Sequence, residues 1–532
     1  MSRGAEWIGA GCEPASPTGR KTRVARVHFV RRGSLNAWRA AVWVAGVTAL
    51  FGGVGASATA TTLDSGDSEV RGRGEGAGEL TSLSLNQASR EALAANYDYL
   101  VSRSQLESQV RATGAARGAF RPSLSLSTDY RDAGETPLTL EGSPRQMSYG
   151  GSLSWSTPVG TDLTVSSSAH GPVDGGAVEG SAVAFSIRQP LLKGLGRRGA
   201  GVALSFADVD EERQRQIFRA AGLDLLVNVE AAYWQVAFAE AGLAVSERSR
   251  ERARVQFEDT GENIRRGILA EAEIHLVEEN LVFFDEQLVR ARETLALAHS
   301  DLAQLLRRSP GTVFALTDPL EIRGELAEPP LAEATARALA QSPDLARDEL
   351  DVRRAELELA YQKNLGLPSL DLSASLGLTR ADDGQGSGGW VRGGEPLDAQ
   401  VGLEFGLPLF RGPVGDRVAR AKLGLEQEEL RRDQGEARLR FEVRDLLTSM
   451  ASAGDRLDLA RRRVRLGELK LEAEVDKYEN GISTLDGLVR FQRDLDGAVN
   501  SARRIELERR LAESRFWAAQ GTLFQVRGLE GP

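Results

Sequence analysis

The stretch RPSLSLS (residues 121–127) decides the fold, because it occurs a second time as LPSLDLS at 367–373. Three more landmarks recur in the same order: ALAANYD (92–98) as ALAQSPD (338–344), QPLLKG (189–194) as LPLFRG (407–412), and RRGILAEAEI (265–274) as ENGISTLDGL (479–488). Ordered recurrence of this kind indicates an internal two-fold repeat. Each copy reads as a short helix, a strand region, and a very long helical stretch broken once at a glycine.

The strand regions alternate with a period of two residues. Leucines alternate with serines in SLSLSTDY (123–130), and similar alternation follows in SLDLSASLGL (369–378) and VGLEFGLPL (401–409). A half-buried sheet in water and a membrane strand both fit this pattern. The small polar residues on the second face favour the wet lumen of a barrel.

The first copy is longer than the second between its two prolines. YGGSLSWSTPVGTDLTVSSS (149–168) lies in the excess and predicts an added hairpin that turns at 158–160. Whether this hairpin joins a barrel or caps it stays open at this point.

The long helical stretches carry heptad seams with charged flanks, the pattern of a coiled coil. One seam is Leu439, Val443, Leu446, Met450, Ala453, Leu457, Ala460 and Val464, and a second is Leu488, Phe491, Leu495, Ala498, Ala502 and Ile505. Gly267 and Gly481 mark the points where each long helix turns back into an antiparallel partner. We therefore expect two long helical hairpins.

A glycine fingerprint raises the question of an enzyme. Gly194, Gly196 and Gly199 spell G-x-G-x-x-G within FSIRQPLLKGLGRRGAG (185–201). A dinucleotide site needs a βαβ unit of roughly 30 residues, whereas a helix of about 60 residues follows here. The second copy, PLFRGPVGDR (408–417), also lacks the fingerprint. We therefore interpret both places as strand-to-helix turns, carried by Pro190, Gly194, Pro408 and Gly412.

No other pattern indicates catalysis or a bound group. The four histidines have no metal spacing, and the sequence contains no nucleophile-base-acid pattern and no P-loop. We predict a protein that is not an enzyme and has no cofactor and no metal. The net charge of −10 is spread as mixed-sign pairs, which argues against a nucleic-acid partner.

The N-terminal region is typical of an exported protein. Arg31, Arg32 and Arg39 precede the uncharged run AAVWVAGVTALFGGVGASATA (40–60), which predicts a signal peptide cut near 58–60; a membrane anchor is the alternative. The predicted organisation is a signal peptide with a long leader (1–60), a flexible segment (61–82), a first repeat (83–310), a connector (311–330) and a second repeat (331–525).

On these residues the chain resembles the outer-membrane efflux protein family, the TolC-like channels of Gram-negative bacteria. The duplicated strand and turn motifs, AAYWQVAFAE (231–240) and the paired Gly-Ile turns carry the resemblance, from about Leu83 to Phe524. It implies a mixed α and β membrane protein that forms a homotrimer. A few strands from each chain would join one outer-membrane β-barrel, and the coiled-coil hairpins would form a tunnel in the periplasm.

The resemblance also implies a function. The trimer would be the passive exit duct of a tripartite efflux pump or a type I secretion system, in contact with outer-membrane lipid. An inner-membrane transporter of RND, ABC or MFS type would deliver substrates through a periplasmic adaptor, a membrane fusion protein. The alternatives are an exported coiled-coil scaffold and a periplasmic adaptor-like protein.

The family's hairpin tips contact the adaptor. By resemblance these tips are Gly267, Ile268, Leu269 and Ala270 in the first repeat, and Gly481, Ile482, Ser483 and Thr484 in the second. Glu273 and Tyr478 would latch the tunnel mouth. Asp486 falls one residue before the family's acidic position, so its part in an acidic ring at the mouth is a hypothesis.

Overall fold

A computed structural model describes residues 81–131, 146–172, 180–322, 328–381, 397–407, 409, 412–480 and 482–531. The predicted signal peptide (1–60), nearly all of the predicted flexible segment (61–82), Pro408 and Gly481 lie outside the described residues.

The elements follow the same order in both halves of the chain: short helices, strands, then a long helical hairpin. The first half contains β1 (Thr81–Leu83), α1 (Leu85–Ala95), α2 (Tyr97–Gly118), β2 (Ser123–Arg131), β3 (Gln146–Ser156), β4 (Asp162–Pro172), β5 (Gly180–Pro190), α3 (Val202–Arg265) and α4 (Glu273–Leu305). The second half contains β6 (Phe314–Leu316), α5 (Leu331–Gln341), α6 (Pro343–Leu365), β7 (Ser369–Ala381), β8 (Leu397–Gly406), α7 (Gly412–Glu479), α8 (Leu485–Ala519) and α9 (Leu523–Val526).

Six strands form one antiparallel sheet in the order β2-β3-β4-β5-β7-β8. The predicted hairpin is confirmed as β3 and β4, which pair from Ser156 with Asp162 to Gln146 with Pro172. The hairpin also joins the sheet, since β3 pairs with β2 and β4 pairs with β5 along their lengths. The first half therefore supplies four strands and the second half two.

The two predicted hairpins are confirmed as α3 with α4 and α7 with α8. Helix α3 has 64 residues and α7 has 68, so each is about 100 Å long at about 1.5 Å per residue. The buried face of α7 follows the predicted seam, except that Leu447 is buried while Leu446 and Val464 are half-buried. No described helix has the length and apolar character needed to cross a membrane.

A short parallel strand pair and a buried tyrosine join the segment before α1 to the connector. Strand β1 pairs in parallel with β6, which the sequence did not predict inside the 311–330 connector. The fully buried Tyr233 of α3 donates its hydroxyl proton towards the Leu83 carbonyl at 3.0 Å and the Asp318 carboxylate at 2.9 Å. This network fixes the long helix to both segments.

Candidate functional site

The six-stranded sheet has one apolar face. The strand register places five apolar side chains side by side in a row that crosses five strands: Leu124, Leu153, Val165, Phe185 and Leu376. All five side chains are exposed, from 41% for Leu153 and Val165 to 70% for Leu124. The row confirms the alternation seen in the sequence, and no described residue covers this wide apolar surface.

The opposite face of the sheet is small and polar. Serine pairs bridge neighbouring strands, with hydroxyl oxygens 2.7 Å apart in Ser123–Ser154 and in Ser125–Ser152. The charged side chains of this face in the described strands are Asp129, Arg131, Asp162, Arg188, Asp371, Asp398 and Glu404. Carboxylates therefore outnumber guanidinium groups on it.

The sheet has two open edges. Within the described residues, β2 pairs only with β3 and β8 pairs only with β7. Strand β2 comes from the first half of the chain and β8 from the second. Each edge presents a row of backbone N–H and C=O groups that can pair with another strand.

The first predicted strand-to-helix turn lies at the end of β5. Pro190 is the last residue of that strand and is opposite Asp371 of β7. Gly194 has a φ of +87°, a conformation that favours glycine. Its N–H donates to Asn364 Oδ1 at 2.8 Å, so the turn is tied to the end of α6.

The glycine fingerprint packs against protein rather than against a nucleotide. A Cβ atom on Gly199 would lie 2.3 Å from the carbonyl carbon of Gly194, and one on Gly201 would lie 2.8 Å from the Pro158 carbonyl oxygen. The Gly196 N–H donates to the Val159 carbonyl at 2.9 Å. These glycines let the turn close on itself and dock on the β3–β4 hairpin turn. Sequence reasoning missed this contact, since nothing local connects the two turns.

The second predicted turn differs from the first. Gly412 is already the first residue of α7, whereas α3 begins eight residues after Gly194. Gly412 therefore lies at the point where the second strand-to-helix junction becomes helix. Pro408 lies outside the described residues.

The first hairpin tip is a Schellman-type helix end. Gly267 has a φ of +76°, and its N–H donates to the Ile264 carbonyl at 2.9 Å while the Ile268 N–H donates to the Asn263 carbonyl at 2.8 Å. Ile268 is 67% exposed. Leu269 is half-buried and Ala270 is exposed, and Glu273 begins α4.

The second tip ends α7 in a similar way. The Ile482 N–H donates to the Lys477 carbonyl at 2.8 Å, and Ile482 is 78% exposed. The Ser483 hydroxyl donates to the Glu474 carboxylate. Thr484 caps α8, with its hydroxyl accepting from the Gly487 N–H at 3.2 Å. Gly481 lies outside the described residues.

The proposed latch residues lie on both tips. Tyr478 of α7 is half-buried. Burial raises the pKa of its hydroxyl, and the negative charges of Glu273 and Asp259, both from the first hairpin, raise that pKa further. The structure thus brings Tyr478 within electrostatic reach of Glu273, whereas Asp486 lies exposed in the first turn of α8.

Two polar contacts that the sequence did not reveal join the hairpins above the tips. Asp496 of α8 accepts from Arg252 and from the Ser249 hydroxyl of α3, each at 2.6 Å. Arg493 of α8 donates to Asn280 of α4 at 2.9 Å. Both contacts link residues more than 200 positions apart, so no local spacing could have identified them.

No site for a metal is present in the described part of the chain. There, no group of three or more His, Cys, Asp or Glu side chains is arranged to hold an ion.

Comparison with known proteins adds a family and a fold. Residues 335–522 match the family described as outer membrane efflux protein. No curated protein matches the chain. Three similar solved structures are the CmeC outer membrane channel of Campylobacter jejuni (TM-score 0.59, 17% identity, 82% of this chain and 86% of that one), the open state of the MtrE channel of Neisseria gonorrhoeae (0.61, 17%, 82% and 89%) and the outer membrane protein VceC of Vibrio cholerae (0.60, 14%, 84% and 97%).

At these identities the solved structures establish the fold, which the chain shares over most of its length. The family match is independent of that comparison and covers most of the second half. Together they confirm the resemblance of this chain to the outer membrane efflux protein family, with the outer-membrane location that the family's name states.

Proposed function

We propose that the chain is the passive outer-membrane duct of a tripartite efflux pump or a type I secretion system, assembled from three copies. The observation that carries the proposal is the six-stranded sheet, which is apolar on one face, polar on the other and open at both edges. Because the apolar side chains are exposed in the described chain, the combination fits a surface that lies between lipid and water.

The open edges require other copies of the chain. In lipid, each unpaired backbone group costs several kcal/mol, so membrane-spanning sheets are closed barrels. Because β2 and β8 are the two ends of one sheet, β8 of each copy would pair with β2 of the next.

The helical layer supports the same closure. Leu423, Leu430, Phe441, Leu459 and Leu466 of α7 are all exposed, and all of them lie off the heptad seam that packs against α8. We call this set the α7 stripe. Helix α4, on the other flank of the pair of hairpins, exposes Val282, Val289 and Leu297. Joining such unlike surfaces head to tail generates a ring.

The hairpin tips are the proposed contact with a periplasmic adaptor. Ile268 and Ile482 are large apolar side chains that are mostly exposed at the two ends, and exposed apolar groups clustered at one site favour a protein partner. An inner-membrane transporter of RND, ABC or MFS type would supply the energy. Opening would move the two hairpins relative to each other and separate Tyr478 from Glu273.

Single-channel conductance of the purified protein in a planar bilayer tests this function. We expect small currents from the native protein and larger ones from Tyr478→Phe and Asp486→Ala. The matched control is Tyr97→Phe, because Tyr97 is an exposed tyrosine at the start of α2, far along the chain from the tips.

The outcomes separate the parts of the proposal. Currents that are equal in all variants would retain the duct and overturn the latch. Well-folded protein that gives no current in any variant would overturn the duct and favour the exported coiled-coil scaffold.

A further inference from the structure

We propose that the β3–β4 hairpin is a permanent part of the pore wall, so that three copies close a barrel of eighteen strands, six from each chain. The inference rests on the proposed trimeric duct and specifies its pore. It also predicts that the barrel does not limit the size of the cargo.

The hairpin is paired along both of its sides. Strand β3 matches β2 from Ser123 with Ser154 to Arg131 with Gln146, and β4 matches β5 from Asp162 with Arg188 to His170 with Gly180. The apolar and polar faces continue through it without a change of side. A hairpin folded away from the wall would lose both rows of backbone pairs, which a lipid environment does not replace.

The turn of the hairpin is locked to the base of the long helix. Gly160 has a φ of +99°, and a Cβ atom on it would lie 2.8 Å from Pro190 Cγ. The Thr161 hydroxyl donates to the Gln189 side chain, and the Gly196 N–H donates to the Val159 carbonyl at 2.9 Å. The hairpin turn therefore packs against the G-x-G-x-x-G stretch. Only the first half of the chain contains this hairpin, which explains why only that half carries the stretch.

Because each chain contributes an even number of strands, the barrel can close with every neighbouring pair of strands antiparallel. With six antiparallel strands, β8 runs opposite to β2, so β8 and the neighbour's β2 can form an antiparallel pair. Eighteen strands spaced about 4.8 Å apart and tilted by about 40° give a backbone diameter of about 36 Å, against about 24 Å for twelve. Barrels of this size leave an aqueous channel, and the serine, glycine and alanine residues of the polar face leave it open.

Cysteine pairs across the subunit boundary test the closure. Cys12, the single cysteine of the sequence, is replaced by serine, and Ser125→Cys in β2 is combined with one cysteine at a time along β8. Because side chains alternate between faces, oxidation should link Ser125→Cys to a polar-face position (398, 400, 402 or 404). It should not link it to an apolar-face position (399, 401 or 403). The covalent ladder should stop at three chains.

Electron microscopy of the same cross-linked trimer then measures the barrel. A backbone diameter near 36 Å is expected. A diameter near 24 Å would overturn the eighteen-stranded wall and leave the trimeric duct intact. Cross-linking at apolar-face positions, or at none of the seven, would overturn the edge-to-edge closure itself, and bilayer conductance would then decide separately whether the protein is a channel.

Discussion

At the scale of single residues, these glycines matter because they lack a side chain, and not because they bind a ligand. The fingerprint of Gly194, Gly196 and Gly199 matches a nucleotide-binding pattern in spelling, yet its role is to allow the close approach of two backbone segments. The spacing of the glycines predicts an unusual backbone conformation. Whether a ligand or another part of the protein packs against that backbone depends on the neighbouring segments.

Replacing Gly199 tests this interpretation. The added methyl group of Gly199→Ala would overlap the Gly194 backbone, and overpacking of this kind costs about 1–3 kcal/mol. Gly412→Ala is the control, because no atom of the described residues lies within 4 Å of a Cβ atom there and alanine is favoured over glycine in a helix. Thermal unfolding of the detergent-solubilised protein should show a lower Tm for Gly199→Ala and an unchanged or higher one for Gly412→Ala. An equal Tm in both variants would contradict the steric role.

The hydroxyl of Tyr478 should lose its proton at a higher pH than that of an ordinary tyrosine. Burial and the charges of Glu273 and Asp259 raise its pKa, so its hydroxyl stays protonated in the folded protein at a pH where it ionises in the unfolded chain. Stability from this group is complete below the ordinary pKa of about 10 and is lost as pH rises through the raised value. The tyrosinate absorbance that Tyr478→Phe removes should move to lower pH in Glu273→Gln. An unmoved titration would show that Glu273 does not act on Tyr478.

At the scale of elements, the periodic parts of the fold were predictable and the non-local parts were not. The heptads of the second helical hairpin predicted it locally, because apolar residues three and four positions apart form a seam that must face a partner. Leu447, which is buried in place of Leu446, belongs to a core cluster with Ala334 of α5 and Leu345 of α6. Two-residue alternation likewise identified the strands and their faces.

The rest depends on contacts distant in the chain. Strand β6 has only three residues and pairs with β1, more than 230 positions away, so it carries no pattern of its own. Whether the added hairpin joins the sheet could not be decided from the sequence, because strand order is set by pairing. The same holds for the candidate site. The turn glycines were recognisable in the sequence, whereas the Arg252–Asp496 contact and the packing of the glycine stretch against the hairpin turn were not.

A charge placed in the α7 stripe should prevent assembly. Leu430 is 63% exposed in the single chain, so Leu430→Lys should fold but bury an unpaired ammonium group at a subunit boundary. Glu442→Lys is the control, since Glu442 is exposed on the same helix about 100° away. Size-exclusion chromatography with light scattering should give monomers for Leu430→Lys and trimers for Glu442→Lys. Trimers from both would exclude the α7 stripe from the interface.

At the scale of the whole molecule, the polar sheet face would set the charge of the proposed pore. Its described strands carry five carboxylates (Asp129, Asp162, Asp371, Asp398 and Glu404) and two guanidinium groups (Arg131 and Arg188). In the proposed trimer, three copies would repeat this excess around one lumen. Rings of carboxylates raise the local concentration of cations.

The open duct should therefore prefer cations. In a KCl gradient across a planar bilayer, the reversal potential should have the sign of a potassium-selective pore, and the double variant Asp398→Asn/Glu404→Gln should move it towards zero. Asp445→Asn, which removes a carboxylate from the exposed side of α7, should leave it unchanged. Anion preference in the native protein would show that these carboxylates do not set the selectivity of the pore.

The hairpin between β2 and β5 also has an evolutionary consequence. An antiparallel sheet can accept new strands only in pairs, because a single inserted strand would reverse the direction of everything that follows it. Removal of β3 and β4 would leave β2 and β5 antiparallel and able to pair. All subunits of a three-fold ring are encoded by the same gene. A hairpin gained or lost in that gene therefore changes the circumference of such a pore by six strands at once, two in each chain.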